Sequence, residues 1–113
     1  DQEKLLQFVD SPVINDIVWK KKKGLTYTFE AIADSVNVGG RLINCQWDFD
    51  FKDRNFSEPE FSLNRVKGMK GGLEANLTAE KTFEKTVTYI VACKVQDNFG
   101  GEAIKVVDVE VKK

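Results

Sequence analysis

From Ser11 onward, apolar and polar residues alternate with a period of two, which in an extended chain sends successive side chains to opposite faces of a sheet. Leu25, Tyr27, Phe29, Ala31 and Ala33 alternate with Thr26, Thr28, Glu30 and Ile32, and this predicts a half-buried strand opening just after Gly24. Ile43, Cys45, Trp47, Phe49 and Phe51 alternate with Asn44, Gln46, Asp48 and Asp50 and form the strongest aromatic stripe in the chain. Val87, Tyr89, Val91, Cys93 and Val95 alternate with Thr86, Thr88, Lys94 and Gln96. Because Ile90 and Ala92 make the other face of that segment partly apolar, it reads as a central strand. Ile104 and Val106 fall on one parity and Val107, Val109 and Val111 on the other, so the last strand is expected to carry a bulge or to switch faces near Val106.

Weaker alternation marks three more strands, from Val13 to Trp19, Phe61 to Val66 and Leu73 to Ala79. Turn residues separate the segments: Gly39-Gly40, Glu58-Pro59, the glycines at 68, 71 and 72, and Asp97-Asn98-Phe99-Gly100-Gly101. About seven strands without helical periods between them point to an antiparallel sandwich, since parallel βαβ units would need helices. Within Asp1 to Asp10, Leu5, Leu6, Phe8 and Val9 have the spacing of one helical face, but the segment is too short to be a stable helix alone. Residues 1–11 are therefore expected to be a linker or the tail of an upstream domain, and residues 12–113 the sandwich. The first residue is Asp1 and the single methionine is Met69, which fits a processed or excised piece of a longer polypeptide.

The 113 residues are enough for one domain with its own core. Histidine is absent, which excludes Ser-His-Asp and Cys-His catalysis, histidine-ligated zinc and histidine pH switching. No apolar run approaches the roughly 18 residues of a membrane-spanning helix. A formal net charge of -1 gives the chain no overall attraction to nucleic acid or anionic lipid.

The segment Cys45-Gln46-Trp47-Asp48-Phe49-Asp50 resembles the Tyr-x-Trp-Asp-Phe-Gly-Asp-Gly strand of polycystic-kidney-disease-type (PKD) domains. The run from Thr88 to Asn98 is similar to the family's Thr-Tyr-Thr-Val-x-Leu-x-Val-x-Asp-Asn strand, and Ser11-Pro12-Val13-Ile14 resembles its opening. Asp50-Phe51-Lys52-Asp53 stands where the family has its glycine turn, so the third strand is expected to run longer before turning. The resemblance implies an all-β, immunoglobulin-like sandwich without catalysis. Such domains are repeated or appended in larger proteins, commonly outside the cytoplasm.

Several side chains carry chemistry to be weighed against packing. Trp47 is expected to fill the space between two sheets. Trp19 lies beside lysines at the expected end of the first strand, where an edge or interdomain contact competes with sugar stacking. Trp19, Met69 and Phe99 are the candidate apolar anchors for a partner, presented by edges and by the loops Val36 to Gly40, Lys67 to Gly72 and Asp97 to Gly101. Cys45 and Cys93 share the inward parity of neighbouring strands, either as two buried thiols or as a disulfide that is geometrically demanding within one sheet.

The acids Asp48, Asp50, Asp53 and Glu58 could approach one calcium ion only if a loop supplied further oxygens, so a solvated face is expected and no metal or cofactor is assigned. Chelators and calcium are accordingly expected to leave the melting temperature unchanged. Lys20 to Lys23 suit an edge that resists strand-to-strand aggregation more than a phosphate site, because no arginine or aromatic residue is interleaved. Sequons occur at Asn55-Phe56-Ser57 and Asn76-Leu77-Thr78, though such short patterns also arise by chance.

Two function classes follow. The first is a non-catalytic spacer or interaction module that meets neighbouring domains of its own polypeptide, a protein or a glycan. The second is a C-terminal accessory domain of an intracellular bacterial enzyme, since the run from Ile90 to Gly101 loosely resembles the ends of some DNA methyltransferases. The resemblance to PKD domains favours a place outside the cytoplasm, while free thiols at Cys45 and Cys93 would suit a reducing cytosol.

Overall fold

A computed structural model describes residues 10–52, 60–62, 65–67 and 73–113. Among these the chain is all strand and turn: β1 (Val13–Lys23), β2 (Thr26–Asp34), β3 (Leu42–Asp48), β4 (Glu60–Ser62), β5 (Arg65–Lys67), β6 (Leu73–Ala75), β7 (Thr78–Thr82), β8 (Thr88–Asp97) and β9 (Glu102–Glu110). The seven predicted strands are present. The fourth and fifth are each divided, into β4 and β5 and into β6 and β7. One sheet has the order β1-β2-β7, a second the order β4-β3-β8-β9, and β5 pairs with β6, all antiparallel. The result is an immunoglobulin-like β-sandwich.

The inward stripes meet between the two main sheets. Ile17, Tyr27, Phe29 and Ala31 from one sheet face Cys45, Trp47, Val91, Cys93, Val95 and Val109 from the other, with Phe49 and Phe83 closing one end. Full burial of such a side chain contributes about 1.5–3 kcal/mol each, so this stripe is the main favourable term in folding. Trp47 is 1% exposed and its ring lies parallel to that of Phe49, centroids 5.7 Å apart. Its indole nitrogen has no hydrogen-bond partner among the described residues.

The β1–β2 hairpin turns at Gly24, whose φ of 58° lies in the left-handed region that a Cβ disfavours. β1 continues through Lys23, so Trp19 lies within the strand and not at its end. Its four lysines stand exposed on a sheet edge.

β8 is central, between β3 and β9. β9 contains no bulge: its register runs unbroken from Thr88↔Glu110 to Gln96↔Glu102. The sheet keeps a complete ladder and leaves Ile104 and Val106 in solvent at 54% and 45% exposure, where a bulge would have interrupted backbone pairing. The third strand also ends sooner than expected. β3 stops at Asp48, whose Oδ1 accepts from the Asp50 amide at 3.1 Å and caps a turn, after which the Phe51 amide donates to the Ile90 carbonyl at 2.8 Å. A short Asx-type side chain thus turns the chain without glycine.

Candidate functional site

β1 starts and β9 ends at opposite poles of the sandwich, roughly 25 Å apart along strands of this length. At the leading pole the loops after β2 and β8 are joined to Asp10–Pro12. Asp97 is only 1% exposed; its Oδ1 accepts from the amides of Phe99 at 3.0 Å and Gly101 at 2.8 Å. Its Oδ2 accepts from Ser35 Oγ and Asn37 Nδ2, both at 3.4 Å. Asn37 then grips the leading segment reciprocally, donating to the Asp10 carbonyl at 2.7 Å and accepting from the Asp10 amide at 2.9 Å. Asn98 Oδ1 accepts from the Arg41 amide at 2.8 Å and ties the two loops a second time.

Gly101 is needed for this closeness, because a Cβ there would stand 3.0 Å from Pro12 Cδ. With the backbone fixed, three apolar side chains are left outward: Phe99 at 46% exposure, Val36 at 50% and Val38 at 100%. Sequence reasoning singled out Phe99 and the loop but not the two valines. Their signal was apolar residues inside a turn-rich segment.

At the trailing pole Tyr27 Oη accepts from the Lys112 amide at 2.9 Å and donates to the Lys112 carbonyl at 3.2 Å, holding the end of the last strand against β2. An open depression of about 510 Å³ lies here, lined by Asp48, Phe49, Asp50, Lys81, Phe83 and Tyr89 among others. Lys81 Nζ stands 5.7 Å from the Phe49 ring centre, within cation–π range. Asp48 is 2% exposed, so the solvated acidic face expected for Asp48 and Asp50 holds for Asp50 only. The turn at Phe49-Asp50 folds over Asp48, and its Oδ2 has no hydrogen-bond partner among the described residues. Asp53 and Glu58 lie outside the described residues, within which no three acidic or cysteine side chains converge as a metal site.

The anchors predicted from sequence are not gathered into one surface. Trp19 lies on β1 opposite Phe29 at 38% exposure, roughly 23 Å of strand away from the Pro12–Gly101 contact beside Phe99. Met69 falls outside the described residues, as does the sequon at Asn55. Asn76 Oδ1 accepts from the amide and hydroxyl of Thr78 at 3.0 and 2.7 Å. Lys22 pairs with Glu80 at 2.6 Å, both well exposed. Cys45 and Cys93 are completely buried with Sγ atoms 3.7 Å apart, a contact between thiols and not a bond.

No family model and no curated protein sequence matches the chain. Solved structures do. The PKD1 domain of Vibrio anguillarum Epp superposes with a TM-score of 0.61 at 16% identity, covering 91% of this chain and 95% of that one. The PKD1 domain from the Vibrio cholerae metalloprotease PrtV superposes with a TM-score of 0.62, also at 16% identity, covering 92% of this chain and all of that one. The fold is therefore that of a PKD-type domain over nearly its whole length, as the Trp-Asp-Phe and Asp-Asn segments implied.

Proposed function

We propose that this domain is a non-catalytic module of a larger, extracytoplasmic polypeptide, acting as a spacer whose leading pole also makes protein contact. The observation that carries this reading is that Phe99, Val36 and Val38 stand exposed on the two loops that clamp the Asp10–Pro12 segment. A domain joined ahead of Asp10 would enter at the pole that carries these three side chains, and one joined after Lys113 would leave from the opposite pole. The similarity to a domain of a metalloprotease supports the modular part of the reading. The absence of histidine removes the commonest general base.

The test is association of the domain with its neighbour in the parent chain. Phe99→Ser combined with Val38→Ser is expected to weaken that contact by about tenfold or more, the scale of losing an interface anchor. Trp19→Ala, on the far side, is expected to leave it unchanged. If the pole variant associates as tightly as the parent while remaining folded, the domain is a spacer without a contact surface at this pole. A glycan partner would instead be revealed by sugar binding that fails on losing Trp19.

A further inference from the structure

Cys45 and Cys93 occupy a position that packing alone does not require. They sit on adjacent strands of one sheet, both facing the core, yet they are not directly opposite: Cys45 pairs with Val95, and Cys93 pairs with Trp47. They are diagonal neighbours, and their side chains lean together until the sulfurs touch at 3.7 Å. The immunoglobulin-type disulfide joins the two sheets, whereas this pair lies within one.

We propose that Cys45 and Cys93 form a reversible oxidation site, closing to a disulfide between β3 and β8 under peroxide and reopening under a thiol reductant. To bond, the sulfurs must approach by about 1.7 Å, from 3.7 Å to the length of an S–S bond, a movement made by turning the two side chains about their Cα–Cβ bonds together with a small shift of the strands toward each other. Diagonal neighbours are spaced more widely than opposed ones, so the closed form carries strain. Strained disulfides are the more readily reduced ones, which makes the bond reversible and not a permanent staple.

Hydrogen peroxide is small enough to serve as the oxidant where a bulky disulfide is not. One cysteine thiolate attacks a peroxide oxygen; the O–O bond breaks, and the departing hydroxide takes up the thiol proton as water, leaving a sulfenic acid. The second cysteine sulfur then attacks that sulfur, the S–O bond breaks, and the hydroxyl leaves with the second thiol proton as another water. In sum, two thiols and one peroxide give one disulfide and two waters. In the folded domain the Cys93 thiol is held far above its usual range, first by its hydrogen bond to Cys45, then by burial and by the charge on Cys45. Thiolate is therefore scarce, and oxidation proceeds through brief openings of the sandwich.

The experiment uses the full chain in native buffer with hydrogen peroxide, followed by denaturation, alkylation and intact-mass measurement. The expected product is a monomer lighter by two hydrogen atoms with neither cysteine alkylated, and dithiothreitol restores both thiols. Emission from the buried Trp47, which pairs with Cys93, is expected to fall on oxidation and return on reduction. The variants Cys45→Ser and Cys93→Ser are expected to show neither the mass loss nor the emission change. The proposal is overturned if both cysteines remain alkylatable, if oxygen is added without cross-linking, if the bond joins two chains, or if closure occurs only in urea.

Discussion

At the leading pole one buried carboxylate with four donors holds two loops and the incoming segment together, and at the trailing pole a contiguous set of aromatic rings does so. Asp97 links Ser35, Asn37, Phe99 and Gly101. Phe83 meets Tyr27, Phe29, Phe49 and Tyr89 with ring centroids 4.6–6.2 Å apart. Hydrogen bonds are directional and contribute about 1 kcal/mol net each, so they fix the path of a loop without dominating stability. Rings contribute mainly through buried area, with tilted and edge contacts adding about 0.5–1.5 kcal/mol, and they dominate stability while specifying the backbone less sharply. The contrast matches the proposed task. A pole that meets a partner needs a fixed loop shape, and a pole over the core needs packing.

The largest effect should come from the aromatic side. Trp47→Ala is expected to destabilise by about 3–5 kcal/mol in urea unfolding, as large aromatic deletions in cores do. A loss below about 1 kcal/mol would mean that the rings are not the main support of the fold. Trp47→Phe should cost clearly less, because it also removes an indole N–H that has no partner among the described residues.

Asp97→Ala comes next, at about 2–3 kcal/mol, since it leaves one buried donor and three part-buried ones without their acceptor. Its signature should be local, with faster amide exchange at Phe99 and Gly101 while the amides of β8 near Tyr89 stay protected. Equal loss of protection at both poles would erase the distinction between them.

Tyr27→Phe sharpens the comparison from the other direction. It keeps the ring against Phe83, at 6.0 Å and an interplanar angle of 76°, and deletes only the hydroxyl that ties Lys112. The expected cost is about 1 kcal/mol, with fraying confined to the end of the last strand. A larger loss would show that the trailing pole depends on hydrogen bonding as much as the leading one does.

The smallest effect lies on the exposed side of β9. Glu102 is held below its usual carboxylate range by the Gln96 side chain first and then by Lys94, whose Nζ lies 3.3 Å away. A carboxylate depressed in the folded state stabilises above its unfolded value and loses that contribution as the pH falls through its folded value. Glu102→Gln should therefore reduce stability at neutral pH by a few tenths of a kcal/mol and flatten the acid limb below about pH 4.5, while leaving both poles unaffected.

Much of this architecture was legible locally. The period-two stripes identified Phe29, Trp47, Val91 and Val95 as inward residues because alternation is a property of the strand itself, before any partner strand is chosen. The same logic put Cys45 and Cys93 on one face of neighbouring strands. It failed at Val106, where two apolar parities suggested a bulge or a switch of faces and the alternation instead runs unbroken, because a pattern of side chains does not reveal whether an edge strand will sacrifice its ladder or its outward aliphatics. It failed also at Asp48, which looks like a solvated acid until the turn at Phe49-Asp50 folds over it.

The sequence by itself determined the strands, their inward faces, the lack of histidine chemistry and the turn residues, all of which depend on neighbours a few positions away. Only the tertiary structure decided that Asp97 would be buried among Ser35, Asn37 and Gly101, that Val36 and Val38 would join Phe99 at one pole, and that Trp19 would lie far from them. Those outcomes depend on how separate strands are registered and on which loops the sheets bring together. The partners involved are about 60 residues apart in the chain, beyond the reach of any local pattern, and long-range pairing alone sets their distance.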